Sequence, residues 1–152
     1  MKCVVCFNQC DDEYFRQLSN WSVSLSCDFL GICCDEHSDL NIVVDETKKK
    51  EIESKVSKSN LMIVLAGKHC YDAYPCGSKF RNWMAFAISR NSDLEKKLII
   101  VKLKPSNPVP MEAYGIGAEW VHEFSEESIC LGFQRLWDNN CGFSDWKKQR
   151  GR

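Results

Sequence analysis

Two residues with chemically useful side chains follow the most apolar segment of the chain. Lys68 and His69 come just after Leu61–Ala66 and the single glycine Gly67. A cation at this position can donate charge-assisted hydrogen bonds to a phosphate or a ribose. A solvated loop pair explains the same two residues equally well. Both interpretations stay open on the sequence.

Cysteines provide a second candidate chemistry. Cys3-x-x-Cys6 and the adjacent pair Cys33-Cys34 suggest metal ligands. Both pairs fall in stretches with strand character, where successive side chains point to opposite faces. Each pair is therefore divided between two faces, whereas zinc needs converging ligands. We expect buried thiols and no metal, and we expect Cys76, which has no evident base partner, to be an ordinary cysteine.

The overall composition excludes several classes of partner. The chain has 152 residues with a formal net charge of −1, so no strong field attracts nucleic acid or an anionic membrane. No apolar run reaches the roughly 18 residues of a membrane span, and the first residues lack the order of a signal peptide. We expect one cytoplasmic domain over residues 1–152, with reduced cysteines and a frayed basic tail at about 147–152.

The pattern of apolar residues predicts the elements that must position these groups. Five strands are expected to alternate with helices, which favours a flavodoxin-like α/β sandwich with a parallel sheet in the order 2-1-3-4-5. In such a sheet, ligands bind beyond the carboxyl ends of the strands. The predicted strands are Lys2–Phe7, Phe29–Cys34, Leu61–Ala66, Leu98–Leu103 and Glu119–Phe124.

The predicted helices complete this alternation. One opens at Asp11 and Asp12, a charged one covers about Asp45–Lys58, and a last one starts near Ser125. Between them, a helix from about Ser78 to Arg90 carries an apolar stripe. By itself this stripe indicates a core helix. Its members are Phe80, Trp83, Met84, Ala87 and Ile88.

The order of a buried strand, a short polar loop and this helix resembles the TIR-domain family. Within that family, the stretch Ser59–Ser89 is similar to the bacterial TIR-like proteins of Thoeris antiphage defence. TIR enzymes carry Trp-x-x-x-Glu on this helix, and Trp83–Ala87 fits that frame. More loosely, the turn Phe7, Asn8, Gln9 and Asp12 also fits, as does the closing segment Leu136–Trp146.

The resemblance implies an NAD⁺ glycohydrolase or cyclase that makes an ADP-ribose-derived signal for a separate effector. NAD⁺ would be its substrate, and no cofactor or metal would be required. Self-association is a further expectation, because TIR enzymes commonly assemble to become active. The implied substrate-binding residues are Phe7, Asn8, Gln9, Lys68, His69, Trp83 and Met84, with position 87 carrying the catalysis.

Position 87 departs from the family pattern. The family's glutamate is replaced by Ala87, which cannot stabilise the positive charge that develops as the N-glycosidic bond breaks. We therefore expect an inactive chain. The alanine reflects either a deliberate substitution or a natural pseudoenzyme.

A non-catalytic module acting through nucleotide or protein contacts is the alternative function. Two related folds fail on their motifs, since the strand Leu61–Ala66 does not end in the aspartate of a receiver and Asn8–Asp12 lacks the hydroxyl-rich loop of a flavodoxin. A nucleoside deoxyribosyltransferase shares the architecture and the N-glycosidic chemistry. It needs a carboxylate, and the sequence alone does not place one.

Overall fold

The protein is described from a computed structural model, which covers residues 1–35, 42–73 and 79–140. His37, Cys76, Ser78, Gly142, Phe143, Trp146 and the basic tail at 147–152 lie outside the described residues. Among the described helices, none is long and apolar enough to cross a membrane.

Five parallel strands form one sheet in the order β2-β1-β3-β4-β5, which confirms the predicted fold class. The central strand β3 is buried along its whole length, because helices cover both faces of the sheet. The strands are β1 (Lys2–Phe7), β2 (Asp28–Cys33), β3 (Leu61–Ala66), β4 (Lys97–Lys102) and β5 (Glu119–Val121).

The helices form two layers around this sheet. A cluster built on Leu18, Leu25 and Phe133 joins α1, α2 and α5 to one face, while Ile52, Val56 and Met84 join α3 and α4 to the other. The helices are α1 (Asp12–Asn20), α2 (Ser22–Leu25), α3 (Ile42–Lys58), α4 (Trp83–Asp93) and α5 (Glu126–Asn140). Short 3₁₀ turns occupy Gln9–Asp11 and Met111–Ala113.

Strand boundaries agree with the sequence predictions for β1 and β3 and differ elsewhere. β2 and β4 begin and end one residue earlier than predicted, and β5 is shorter, ending at Val121 instead of Phe124. Phe124 packs edge-on against Tyr14, with ring centroids 4.9 Å apart. Its ring therefore covers α1 instead of extending the sheet.

The predicted start of α4 was wrong. Residues 79–82 are not helical, and the helix begins at Trp83 because Asn82 is extended and its side chain caps the first turn. The predicted apolar stripe is present, since Trp83, Met84, Ala87 and Ile88 are all buried. Ala85 and Phe86 are buried as well, so the first half of α4 is enclosed on every side.

Candidate functional site

The sheet reverses its winding between β1 and β3, whose carboxyl ends lie side by side. From this edge the chain enters α1 on one face and α4 on the other. A cavity of about 240 Å³ opens here. Ligands of open α/β sheets bind at such a point. We name it the switch-point crevice; its lining residues are Cys10, Asp11, Tyr14, Lys68, Leu103, Lys104 and Asn107.

Three larger depressions are present among the described residues. One of about 520 Å³ adjoins Lys96 and Lys97 at the amino end of β4, one of about 540 Å³ lies along the exposed side of α1 at Arg16, and one of about 420 Å³ lies between α3 and α4 at Val56 and Arg90. None of the three is centred on the carboxyl ends of β1 and β3, where this architecture binds ligands. We therefore assign the smaller crevice as the candidate site.

Asp11 places a carboxylate in the wall of this crevice. Its side chain is buried, and its Oδ2 atom has no hydrogen-bond partner among the described residues. Burial raises the pKa of the Asp11 carboxyl above its ordinary value, while the Cys10 thiol and the positive charges of His69 and Lys68 offset part of this rise. The result is a desolvated acid beside two basic side chains.

Gly67 makes room for this carboxylate at the end of β3. A Cβ atom at position 67 would lie 2.7 Å from Cγ of Asp11 and still closer to Oδ2. The glycine is required here for space and not for an unusual backbone angle, since the glycines with positive φ in the described chain are Gly115 and Gly117. The first turn and the central strand are thus fitted to each other through Asp11.

The connection from β3 to α4 carries Lys68 and His69, and Asn82 holds it in place. The Asn82 side chain accepts a hydrogen bond from the Ala85 N–H at 2.9 Å. It also donates to the carbonyl oxygens of Cys70 and Asp72, at 3.0 and 2.9 Å. One buried amide therefore both starts the helix and fixes the loop that precedes it.

His69 and Lys68 are both exposed on this loop. Nδ1 of His69 lies 2.7 Å from Oδ2 of Asp72, which orients the imidazole ring. Lys68 lines the crevice with Lys104, so two ammonium groups border the same cavity as Asp11. Such a border suits an anionic group such as phosphate.

The turn after β1 holds Asp11 in the crevice wall, although the predicted site residues Asn8 and Gln9 do not themselves line the cavity. Asn8 is buried, and its backbone carbonyl oxygen accepts a hydrogen bond from the backbone N–H of Asp11 at 2.8 Å. Gln9 is exposed, and its backbone N–H donates to Oδ1 of Asp35 at 2.6 Å. These contacts tie the turn to the end of β2 and set the position of Asp11.

Four of the residues that the resemblance implicated lie within the core. Phe7 is 6% exposed and stacks on Phe15, with ring centroids 4.7 Å apart. Trp83, Met84 and Ala87 are buried in the cluster beneath α3 and α4. Ala87 has no exposed surface, and the crevice wall at Leu103 belongs to the cluster on the other face. The structure therefore does not bring position 87 together with the crevice.

Sequence reasoning placed Asp11 in the turn at the ligand-binding edge but did not choose it as a binding residue, and it missed Asn82, Lys104 and Asn107. Asp11 was assigned to the opening of a helix, where acids are common, and nothing in the pattern separates it from Asp12. Asparagine is a favoured N-cap, so Asn82 carried a usable signal that the early helix start concealed. Asn107 lies in a loop and donates to the Ala66 carbonyl oxygen at 3.1 Å, a contact that only the folded chain creates.

The cysteine pairs are divided between the two faces of the sheet, as predicted. Cys6 and Cys34 pack beneath α3 and α4, whereas Cys3 and Cys33 pack on the opposite face. Within the described ranges, no three His, Cys, Asp or Glu side chains converge as metal ligands.

Comparison with known proteins extends the description of the fold. No family model and no curated protein sequence matches the chain. Among solved structures, a CMP N-glycosidase from Clostridium botulinum, BcmB, is similar with a TM-score of 0.50 and 12% identity, over 86% of this chain and 97% of the other. A 3-dehydroquinate dehydratase-like protein from Bifidobacterium longum has a TM-score of 0.44 and 15% identity, over 86% of this chain and 90% of the other. At 12% identity, the likeness to the first of these structures is one of fold alone.

Proposed function

We propose that this chain is a TIR-like protein that binds NAD⁺ at the switch-point crevice without glycohydrolase or cyclase turnover, because the position of the family's catalytic glutamate holds Ala87, which is buried and lies apart from the crevice. The crevice itself carries the proposal. It lies at the winding reversal of the sheet and combines a carboxylate with two lysines. NAD⁺ offers matching groups, namely ribose hydroxyls as donors and a pyrophosphate as the anion.

The residue at position 87 supports the second part of the proposal, the absence of turnover. Cleavage of NAD⁺ releases nicotinamide with the electron pair of the C1′–N bond, leaving a cationic sugar that water or an internal nucleophile captures. A preorganised anion lowers that barrier. Ala87 supplies none and is fully buried. An active version would release an ADP-ribose-derived signal for a separate effector.

Calorimetry with NAD⁺, followed by turnover with products separated by mass spectrometry, tests this proposal. Saturable binding without nicotinamide release is the expected result for this chain. Ala87→Glu, with Ala87→Gln as the control of equal size without charge, should release no nicotinamide, because position 87 lies apart from the crevice. Nicotinamide release by folded Ala87→Glu but not by Ala87→Gln would show that the bound NAD⁺ reaches position 87. Because position 87 is buried, the circular dichroism of both variants is checked first. Absence of saturable NAD⁺ binding would overturn this proposal.

A second candidate function is cleavage of the N-glycosidic bond of a mononucleotide. Asp11 is a carboxylate at the carboxyl edge, which the deoxyribosyltransferase-like alternative had lacked. The crevice of about 240 Å³ is also smaller than the roughly 300–1,000 Å³ of typical small-molecule sites, so it suits one nucleotide better than two. The similar fold in Clostridium botulinum belongs to a CMP N-glycosidase. Release of cytosine from CMP by this chain would favour this candidate over the first.

A further inference from the structure

The Asp11 carboxylate makes few of the contacts that would explain it as a structural residue. Asp11 stands at the N-cap of α1, yet in the described chain its side chain caps no backbone N–H of that helix. Its Oδ2 atom is buried without a partner among those residues. The adjacent Asp12 behaves differently, since it is more exposed and pairs with Arg16 at 2.7 Å. Folding accounts for Asp12 and leaves Asp11 unexplained.

The fold nevertheless accommodates Asp11 at a specific point. Gly67 leaves space for its carboxyl group against the end of the central strand. A buried polar atom without a partner is unusual in a folded protein. A ligand in the crevice that carries hydrogen-bond donors would satisfy this oxygen once the Asp11 side chain turns from Gly67 towards the cavity.

The surrounding residues define what that group is. An ionised carboxylate accepts hydrogen bonds through two oxygens and donates none. Lys68 and Lys104 line the same cavity and attract a negative charge. A ligand that fits both must carry hydroxyl donors and an anion within the dimensions of about 240 Å³. A ribose phosphate unit has this combination, with its vicinal 2′ and 3′ hydroxyls on one side and its phosphate on the other.

We infer that Asp11 is the ribose-binding residue of the switch-point crevice: its carboxylate accepts the vicinal hydroxyls of a ribonucleotide whose phosphate lies between Lys68 and Lys104. This inference rests on the proposed function and adds to it the group that the site recognises. It also assigns Gly67 the role of keeping that carboxylate in place. A deoxyribonucleotide lacks one of the two donors and binds more weakly.

Calorimetric titration with NAD⁺ at pH 8 tests the inference on the full chain, with Asp11→Asn and Asp11→Ala as test variants. Asp12→Asn is the matched control, because it removes the adjacent carboxylate, which lies outside the crevice lining. We expect about 10- to 100-fold weaker NAD⁺ binding for both Asp11 variants and less than a twofold change for the control. Their melting temperatures should equal or exceed that of the unsubstituted protein, since a purely structural role would lower them.

Ligand analogues identify the sugar independently of the variants. NAD⁺ lacking the 2′ and 3′ hydroxyls of either the nicotinamide ribose or the adenosine ribose is titrated into the same proteins. One analogue should lose about the same affinity as the Asp11 variants do, and should bind Asp11→Ala no more weakly than it binds the unsubstituted chain.

The outcomes separate the two proposals. If the chain binds NAD⁺ and the Asp11 variants stay within twofold, the ribose assignment is overturned while NAD⁺ binding stands. Equal binding of both analogues and NAD⁺ overturns it as well. If the unsubstituted chain binds no NAD⁺ at all, both proposals fall together.

Discussion

Asp11 and Ala87 occupy opposite situations around the same sheet, Asp11 in the turn after β1 and Ala87 in α4. Asp11 is an acid buried at the carboxyl edge with one oxygen unpaired, whereas Ala87 is an apolar residue within an apolar cluster. Core packing fully accounts for Ala87, and it does not account for Asp11. The difference shows where function is to be sought: a side chain that stabilisation alone would not place there is the stronger indication of a ligand.

The largest effect on stability should come from placing a charged side chain at the buried position 87. Ala87→Glu puts a carboxylate into a site with no exposed surface, and we expect a loss of more than about 3 kcal/mol in the free energy of unfolding. Ser89→Glu, two residues later on the half-exposed side of α4, serves as the control. Urea denaturation measures both. A denaturation midpoint for Ala87→Glu equal to that of the unsubstituted chain would show that position 87 reaches solvent or a pocket after all.

Asn82→Ala should have the next largest effect on the free energy of unfolding, because Asn82 lies between the crevice loop and α4, which carries Ala87. It removes a helix cap together with two side-chain bonds to the loop carrying His69, for a combined loss of about 2 kcal/mol. Ser125→Ala removes only a cap at α5, where the Ser125 hydroxyl accepts the Ser128 N–H, and should cost about 1 kcal/mol. Equal losses for the two variants would show that Asn82 does not hold the loop.

Gly67→Ala tests the fit between Asp11 and the central strand. The added methyl group overlaps the Asp11 carboxylate, and we expect a loss of about 1–3 kcal/mol in stability. Combining it with Asp11→Ala should restore most of that loss, because the methyl group then fills the vacated space. The two substitutions are predicted to be strongly non-additive in chemical denaturation. Simple additivity would show that the two residues do not compete for this space.

The smallest effect concerns pH. Burial raises the folded-state pKa of Asp11, so the folded chain binds its proton more tightly than the unfolded chain does. Stability should therefore fall as pH rises from the ordinary aspartate range through this raised pKa. Cys10, Asp35, His69 and Lys68 face the carboxyl group and contribute to its shift. Asp11→Asn should lack this decrease and Asp12→Asn should retain it, as measured by denaturation across pH.

The elements and their order could be predicted from the sequence. The continuous apolar run of β3 and the β-branched segment of β1 predicted both strands at their observed bounds, because a strand covered on both faces has no polar positions. Alternation of strands and helices then limited the topology to the doubly wound order. The ends of α4 and β5 were predicted less well, since a cap at Asn82 and the packing of Phe124 decide them.

The residues of the candidate site likewise fall into those that the sequence could place and those that only tertiary packing brings together. Lys68, His69, Asn8 and Gln9 could be placed at the carboxyl edge from the sequence, because chain order alone puts strand ends there. The partnership of Asp11 with Gly67 could not, since the two residues are far apart in the chain and meet only when β1 and β3 pair. Burial of position 87 was decided likewise by the packing of α4 between α3 and the sheet. Local pattern thus determined the strands and their direction, and tertiary packing decided which acid is desolvated and which helix position is enclosed.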